Sequence, residues 1–148
     1  MIQMIPHHQA AIDMCQNLLK YTTNISLQNI ALDIISEQTQ SIQNMRNILN
    51  QCLKINNSPS DLQKYQRQLH IIQKRMFHLM QHAAVSNNIN LDFIHEMIPH
   101  HQGAIQMSRL TLEYEICPQL RPILQAIIVS QEKGVKQMKH LLEMIQQS

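Results

Sequence analysis

The sequence has almost nothing to break a helix or to build a sheet. Two glycines, five prolines and 3% aromatic residues in 148 leave few turn formers and few of the bulky side chains that strands favour. An all-α chain is expected, and a β-sheet is not. No apolar run reaches the roughly 18 residues that a membrane span needs, and no basic segment leads into an apolar export core. Charge is scarce as well: 12 Lys and Arg against 10 Asp and Glu give a formal +2. The basic residues do not cluster, which argues against nucleic acid as a partner. Cys15, Cys52 and Cys117 are odd in number and lack Cys-x-x-Cys spacing, so they imply neither a disulfide framework nor a zinc ribbon, and a reducing compartment fits them. The chain reads as cytoplasmic as it stands, and as extracytoplasmic where an export signal precedes its opening motif. Its length suits one helical-bundle domain over 1–148.

Familiar catalytic patterns are missing too. No Glu-x-x-His pair occurs, as a ferritin-type di-iron centre would need on two helices. His-Glu-x-x-His, Gly-x-Ser-x-Gly and a glycine-rich phosphate loop are also absent. Nothing marks the chain as an enzyme.

What the chain does contain is a repeat. Met4-Ile5-Pro6-His7-His8-Gln9-Ala10-Ala11-Ile12-Asp13-Met14 recurs as Met97-Ile98-Pro99-His100-His101-Gln102-Gly103-Ala104-Ile105-Gln106-Met107, nine of eleven positions being identical at an offset of 93. The same offset pairs Tyr21 with Tyr114, Leu27 with Leu120, Gln38 with Gln131 and Met45 with Met138 without a gap. Each unit, about 1–54 and 92–147, reads as helix, short connector, helix. The predicted helices run to about 21, from about 26 to 54, from about 92 to 115 and from about 119 to 147. The Asn56-Asn57-Ser58-Pro59-Ser60 cluster sets off a fifth, connecting helix of about 60 to 85.

At 100° per residue Met4, His8, Ala11, Cys15 and Leu18 share one narrow arc, with His7 and Met14 on its flank. Phe93, Met97, His101, Ala104, Ser108 and Thr111 form the matching arc, flanked by His100 and Met107. Ala31, Ile35, Gln38, Ile42, Met45 and Leu49 make the stripe of the second helix; Leu124, Ile128, Gln131, Val135, Met138 and Leu142 repeat it. A glutamine on an apolar stripe needs a partner, and the histidines are the nearest candidates. Pro6 and Pro99 either interrupt a helix, opposing the carbonyls of Ile2 and His95, or stand in its first turn. The connecting helix shows an apolar stripe of Leu62, Leu69, Ile72, Met76 and Met80, with His78 and His82 read as solvated surface residues.

Methionine and histidine stripes are ordinarily core packing. Two matching stripes in a chain short of carboxylates point instead to soft-donor chemistry, since thioether and imidazole suit Cu(I) or Ag(I). The candidate ligands are Met4, His7, His8 and Met14 with Met97, His100, His101 and Met107, supported by Gln38, Met45, Gln131 and Met138. Imidazole ligation is expected to weaken as pH falls through about 6.5, the ordinary histidine pKa. The alternative is a structural or interaction module of a bacterial envelope or spore layer, with His/Gln networks in its core, no metal, and a protein partner or a second copy of itself.

The repeated Met-Ile-Pro-His-His-Gln-x-Ala-Ile-x-Met resembles the signature of the bacterial domain-of-unknown-function family 305. That resemblance implies a ferritin-like four-helix bundle made of two duplicated hairpins plus the extra connecting helix. It also implies copper or silver handling, as in some members. The sequence departs from the family pattern where Ser41 and Gly134 replace an expected glutamate, and where Asp92 and Phe93 lead into the second motif without a counterpart before the first.

Overall fold

A computed structural model describes residues 3–52 and 55–148, all in helices and their connections, with no strand among them. Five α-helices follow in order: α1 Met4–Leu19, α2 Ile25–Leu49, α3 Pro59–Gln81, α4 Ile89–Leu112 and α5 Leu120–Gln147, with a 3-10 turn at Asn50–Cys52 after α2. The expected end of the second helix at 54, the outer limits of the first unit at 1 and 54, and the carbonyl of Ile2 lie outside the described residues. The helix starts follow from local chemistry. The side chains of Asn24, Ser58 and Asn88 accept hydrogen bonds from the amides of Leu27, Asp61 and Leu91, satisfying donors that a helix start leaves free.

α1 packs on α2 and α4, while α5 packs on α4 and α2. The four repeat helices therefore close a ring in the order α1, α2, α5, α4. The Thr22 hydroxyl at the end of α1 donates to Asn90 Oδ1 at the start of α4, 2.7 Å away, so these two equivalent helices run antiparallel. Two apolar clusters fill the bundle. One gathers Met4, Ile42, Met45, Met107, Leu120 and Ile127; the other gathers Met97, Met138, Leu27, Ile34 and Ala11. Adding or subtracting 93 converts the members of one set into the other or into their neighbours, as a two-fold relation between the units requires. Fully burying a leucine or isoleucine stabilises by roughly 1.5–3 kcal/mol, so these layers supply most of the drive to fold.

α3 has no counterpart in the repeat and lies along the outer side of α4. Tyr65 and Thr111 hydroxyls are 3.0 Å apart, the Tyr114 hydroxyl donates to Gln68 Oε1 at 2.7 Å, and the two tyrosine rings meet edge to face. Its buried residues are Leu69 and Met76. Leu62 departs from the expected stripe and is 46% exposed; it lies in the first turn, where half-buried Tyr65 takes the inward place.

The cysteine reading is corrected. Cys52 and Cys117 form a disulfide, their Cα atoms 5.3 Å apart across 65 residues of chain. Parity and spacing along the chain could not show it, because the bond depends on which loop ends meet: the turn after α2 reaches the α4–α5 connection. Cys15 is the odd one out, sealed in the core, and burial pushes its thiol up to about 12, so it stays protonated and inert. Closing a loop of this length is worth up to about 4 kcal/mol by chain entropy. Reduction should therefore lower the free energy of unfolding by about 2–4 kcal/mol, read as a shifted denaturant midpoint. An unmoved midpoint would speak against the bond.

Candidate metal centre

The two His-His pairs reach the centre of the bundle by the same local route. Pro6 is the third residue of α1, where no intrahelical N–H bond is lost, whereas Pro99 lies inside α4 and leaves the His95 carbonyl without its usual donor. Each of the two alternatives for proline thus applies to one unit. The histidines that follow adopt nearly the same pose: His7 and His8 ring centroids are 6.2 Å apart at 55°, those of His100 and His101 6.4 Å apart at 54°. His7 and His100, equivalent in the repeat, stack on each other at 3.7 Å and 18°. The approximate two-fold axis passes between them.

His8, His100 and His101 are buried and His7 is half-buried. Both nitrogens of His8 and the Nδ1 atoms of His7, His100 and His101 are sealed from solvent without a hydrogen-bond partner. Burial, aided by mutual repulsion of the charged forms, lowers His7 to about 2, His8 to about 4 and His101 to about 3; burial alone lowers His100 to about 4. All four imidazoles are therefore neutral near neutral pH and carry a lone pair.

The methionines stand at the two ends of this polar layer. Met4, Met45 and Met107 share one apolar cluster; Met97 and Met138 share the other, with half-buried Met14 packed against it. Met4 and Met14, ten residues apart on α1, stand about 15 Å from each other and so at opposite ends of the layer. Each end draws on both units.

Gln38 and Gln131 are buried as expected. The expected hydrogen bonds to the histidine helices are not formed, and both Oε1 atoms lack a partner. Gly134 explains how a histidine fits there: a Cβ on it would come within 3.0 Å of His101 Cδ2. At the matching place in the first unit the Ser41 hydroxyl is sealed and unpartnered.

Met76 of α3 was not among the expected ligands. Its Sδ lies 3.2 Å from His7 Nε2. The histidines are marked by the repeat, and α3 lies outside it. His78 on α3 and His82 at its C-terminal cap are exposed, as expected, with His82 Nδ1 2.8 Å from the His78 carbonyl.

Among the described residues, no three His, Cys, Asp or Glu side chains converge tightly enough to hold a metal ion. A hard-ion site is thereby disfavoured, and any centre here has to recruit thioethers. Unpartnered buried imidazole nitrogens between two methionine-rich ends fit that requirement.

A family model, described as a domain of unknown function, DUF305, matches residues 1–142. The chain belongs to the DUF305 family. Its fold is similar to a DUF305 fragment from Deinococcus radiodurans, with a TM-score of 0.66 at 23% identity over 95% of this chain and 91% of that one. It is also similar to CopM in its Ag-bound form, obtained by soaking (TM-score 0.69, 30% identity, 95% and 89% covered), and in its Cu(I)-bound form (0.69, 30%, 95% and 90%). No curated protein matches the chain.

Lowered histidine pKa values predict that this DUF305 chain loses stability in acid. Unfolded histidines bind protons below about 6.5 while the folded ones do not until about 4 or lower, so the unfolded state holds more protons and stability falls with pH across that window. Four such groups give a slope of up to about 5 kcal/mol per pH unit. Denaturant melts followed by circular dichroism should show full stability above pH 7 and loss between about 6.5 and 4; a flat profile there would contradict the burial.

The unpartnered amide oxygens reverse the effect expected of the glutamines. Gln38→Leu or Gln131→Leu should leave stability unchanged or raise it by about 1 kcal/mol, since an unsatisfied buried polar group is removed. A loss of 2 kcal/mol or more, on the order of what a satisfied buried network costs to break, would show that the amides are bonded after all.

Proposed function

We propose that this DUF305 protein binds Cu(I) or Ag(I) as cargo, as a buffer or carrier rather than an enzyme. The observation that carries the reading is the layer of neutral imidazoles in which both nitrogens of His8 and the Nδ1 atoms of His7, His100 and His101 lack partners, lying between methionine-bearing apolar clusters at both ends of the bundle. Leaving such atoms unpaired is costly, and a soft cation accepting their lone pairs removes the cost. Its similarity to a protein solved with Ag and with Cu(I) supports the same reading. Under it His7, His8, His100 and His101 are donors together with Met4 and Met107 at one end and Met97 and Met14 at the other. Gln38, Gln131, Met45 and Met138 are the supporting residues, all four buried.

No described helix is long and apolar enough to cross a membrane, and the Cys52–Cys117 bond suits an oxidising compartment, so we place the protein outside the cytoplasm. This replaces the reducing compartment expected from the cysteine count. The pH expectation also moves. With the folded histidines lowered to about 4 or below, protons compete with the metal only well under pH 6.5.

Anaerobic Cu(I) competition titrations test the reading. His7→Ala/His8→Ala and His100→Ala/His101→Ala should each lose at least about tenfold in affinity, more than outer-shell changes typically cost at their mildest, while helical content is kept. Met4→Leu/Met97→Leu should weaken binding too. Wild-type affinity no greater than the residual surface binding seen on comparing it with His78→Ala/His82→Ala, or motif variants that all bind like wild type, would leave the bundle a metal-free structural or interaction module.

A further inference from the structure

We infer that Met76, on the helix that the repeat does not contain, is a ligand in a three-helix soft-metal site with His7 of α1 and His100 of α4. The inference rests on the Cu(I)/Ag(I) reading and adds a donor and a location to it. Met76 Sδ is 3.2 Å from His7 Nε2, and His100 stacks on the same His7 ring at 3.7 Å. For zinc, metal–nitrogen and metal–sulfur bonds run about 2.0 and 2.3 Å. A nitrogen and a sulfur 3.2 Å apart can thus share an ion of that size, and the His100 ring stacked on His7 is the nearest further imidazole.

The chain makes room for this approach at a particular place. Gly103 is one of two positions at which the motif departs from its first copy, where Ala10 stands. A Cβ on Gly103 would lie 2.8 Å from Met76 Cγ and overlap Sδ outright. Ala10 meets no such helix and is exposed. The missing methyl therefore serves Met76, not the helix, in which glycine is a poor former.

Met76, itself buried, and Gly103 border an open groove of about 560 Å³ between α3, α4 and α5, so the site lies just behind a solvent-filled surface rather than at the centre of the bundle. The bland account of the 3.2 Å contact is an N–H···S hydrogen bond. The two accounts differ in what silver does to the methionine.

The test is an Ag(I) titration of the full chain with its ten methionines labelled at the methyl carbon, followed by NMR. The Met76 methyl signal, identified as the one missing in Met76→Leu, should shift as Ag(I) is added. Competition affinity should fall at least about tenfold in Met76→Leu, and in Gly103→Ala, which keeps every donor but displaces Met76. Met144→Leu, at an exposed site on α5, should bind like wild type. Because the methyl signal is read on the wild-type protein, the test stands even if a variant folds poorly. A Met76 methyl unmoved at saturating Ag(I), or Met76→Leu binding like wild type, overturns the inference and leaves the wider metal reading intact. A wild-type protein that binds no Ag(I) overturns both.

Discussion

The stacking of His7 on His100 is the contact around which the rest of the bundle is arranged. Equivalent residues can touch only where the relation between two copies of a unit brings them to its axis, so this contact fixes how the two hairpins meet. Two imidazoles at 3.7 Å cannot both be charged in a desolvated layer, and neither has a carboxylate to hold a proton on it. Neutrality follows from the packing. The apolar clusters above and below, each drawing methionines from both units, keep water out and thereby hold the pKa values down.

The third helix breaks this symmetry, and its effects can be traced residue by residue. Tyr21 is 65% exposed, while its equivalent Tyr114 is half-covered and bonded to Gln68. Pro6 is exposed and Pro99 buried; Ala10 is exposed and Gly103 buried. In each pair α3 covers the second member alone. The disulfide adds to the asymmetry, since neither Cys52 nor Cys117 has a cysteine at the position 93 residues away. A duplicated scaffold has thus acquired one differentiated face, where the groove opens.

Much of the fold could be read from the chain because it was written twice. The offset of 93 identified two hairpins, and the 3.6-residue period placed His8, His101, Gln38 and Gln131 inside, where they are. What could not be read depends on contacts between distant segments. Gln38 sits where its stripe says, yet its oxygen finds no donor, because facing a histidine helix does not bring two particular atoms within bonding distance. Met4 and Met14 share a helix face but not a cluster, since an antiparallel α4 supplies each with different neighbours. Met76 carried no signal of its own. The trace it left was Gly103, a small departure in an otherwise repeated motif.

The arrangement also bears on which ion the layer can accept. A hard divalent ion brings two charges into a region with no carboxylate to balance them, and the price is desolvation that neutral donors repay poorly. A monovalent soft ion brings one charge, accepts sulfur as readily as nitrogen, and needs few ligands. Gly134 acts in the same direction: having no side chain, it leaves the space that the His101 ring occupies, so an imidazole fills that part of the layer and the donors it offers are soft ones.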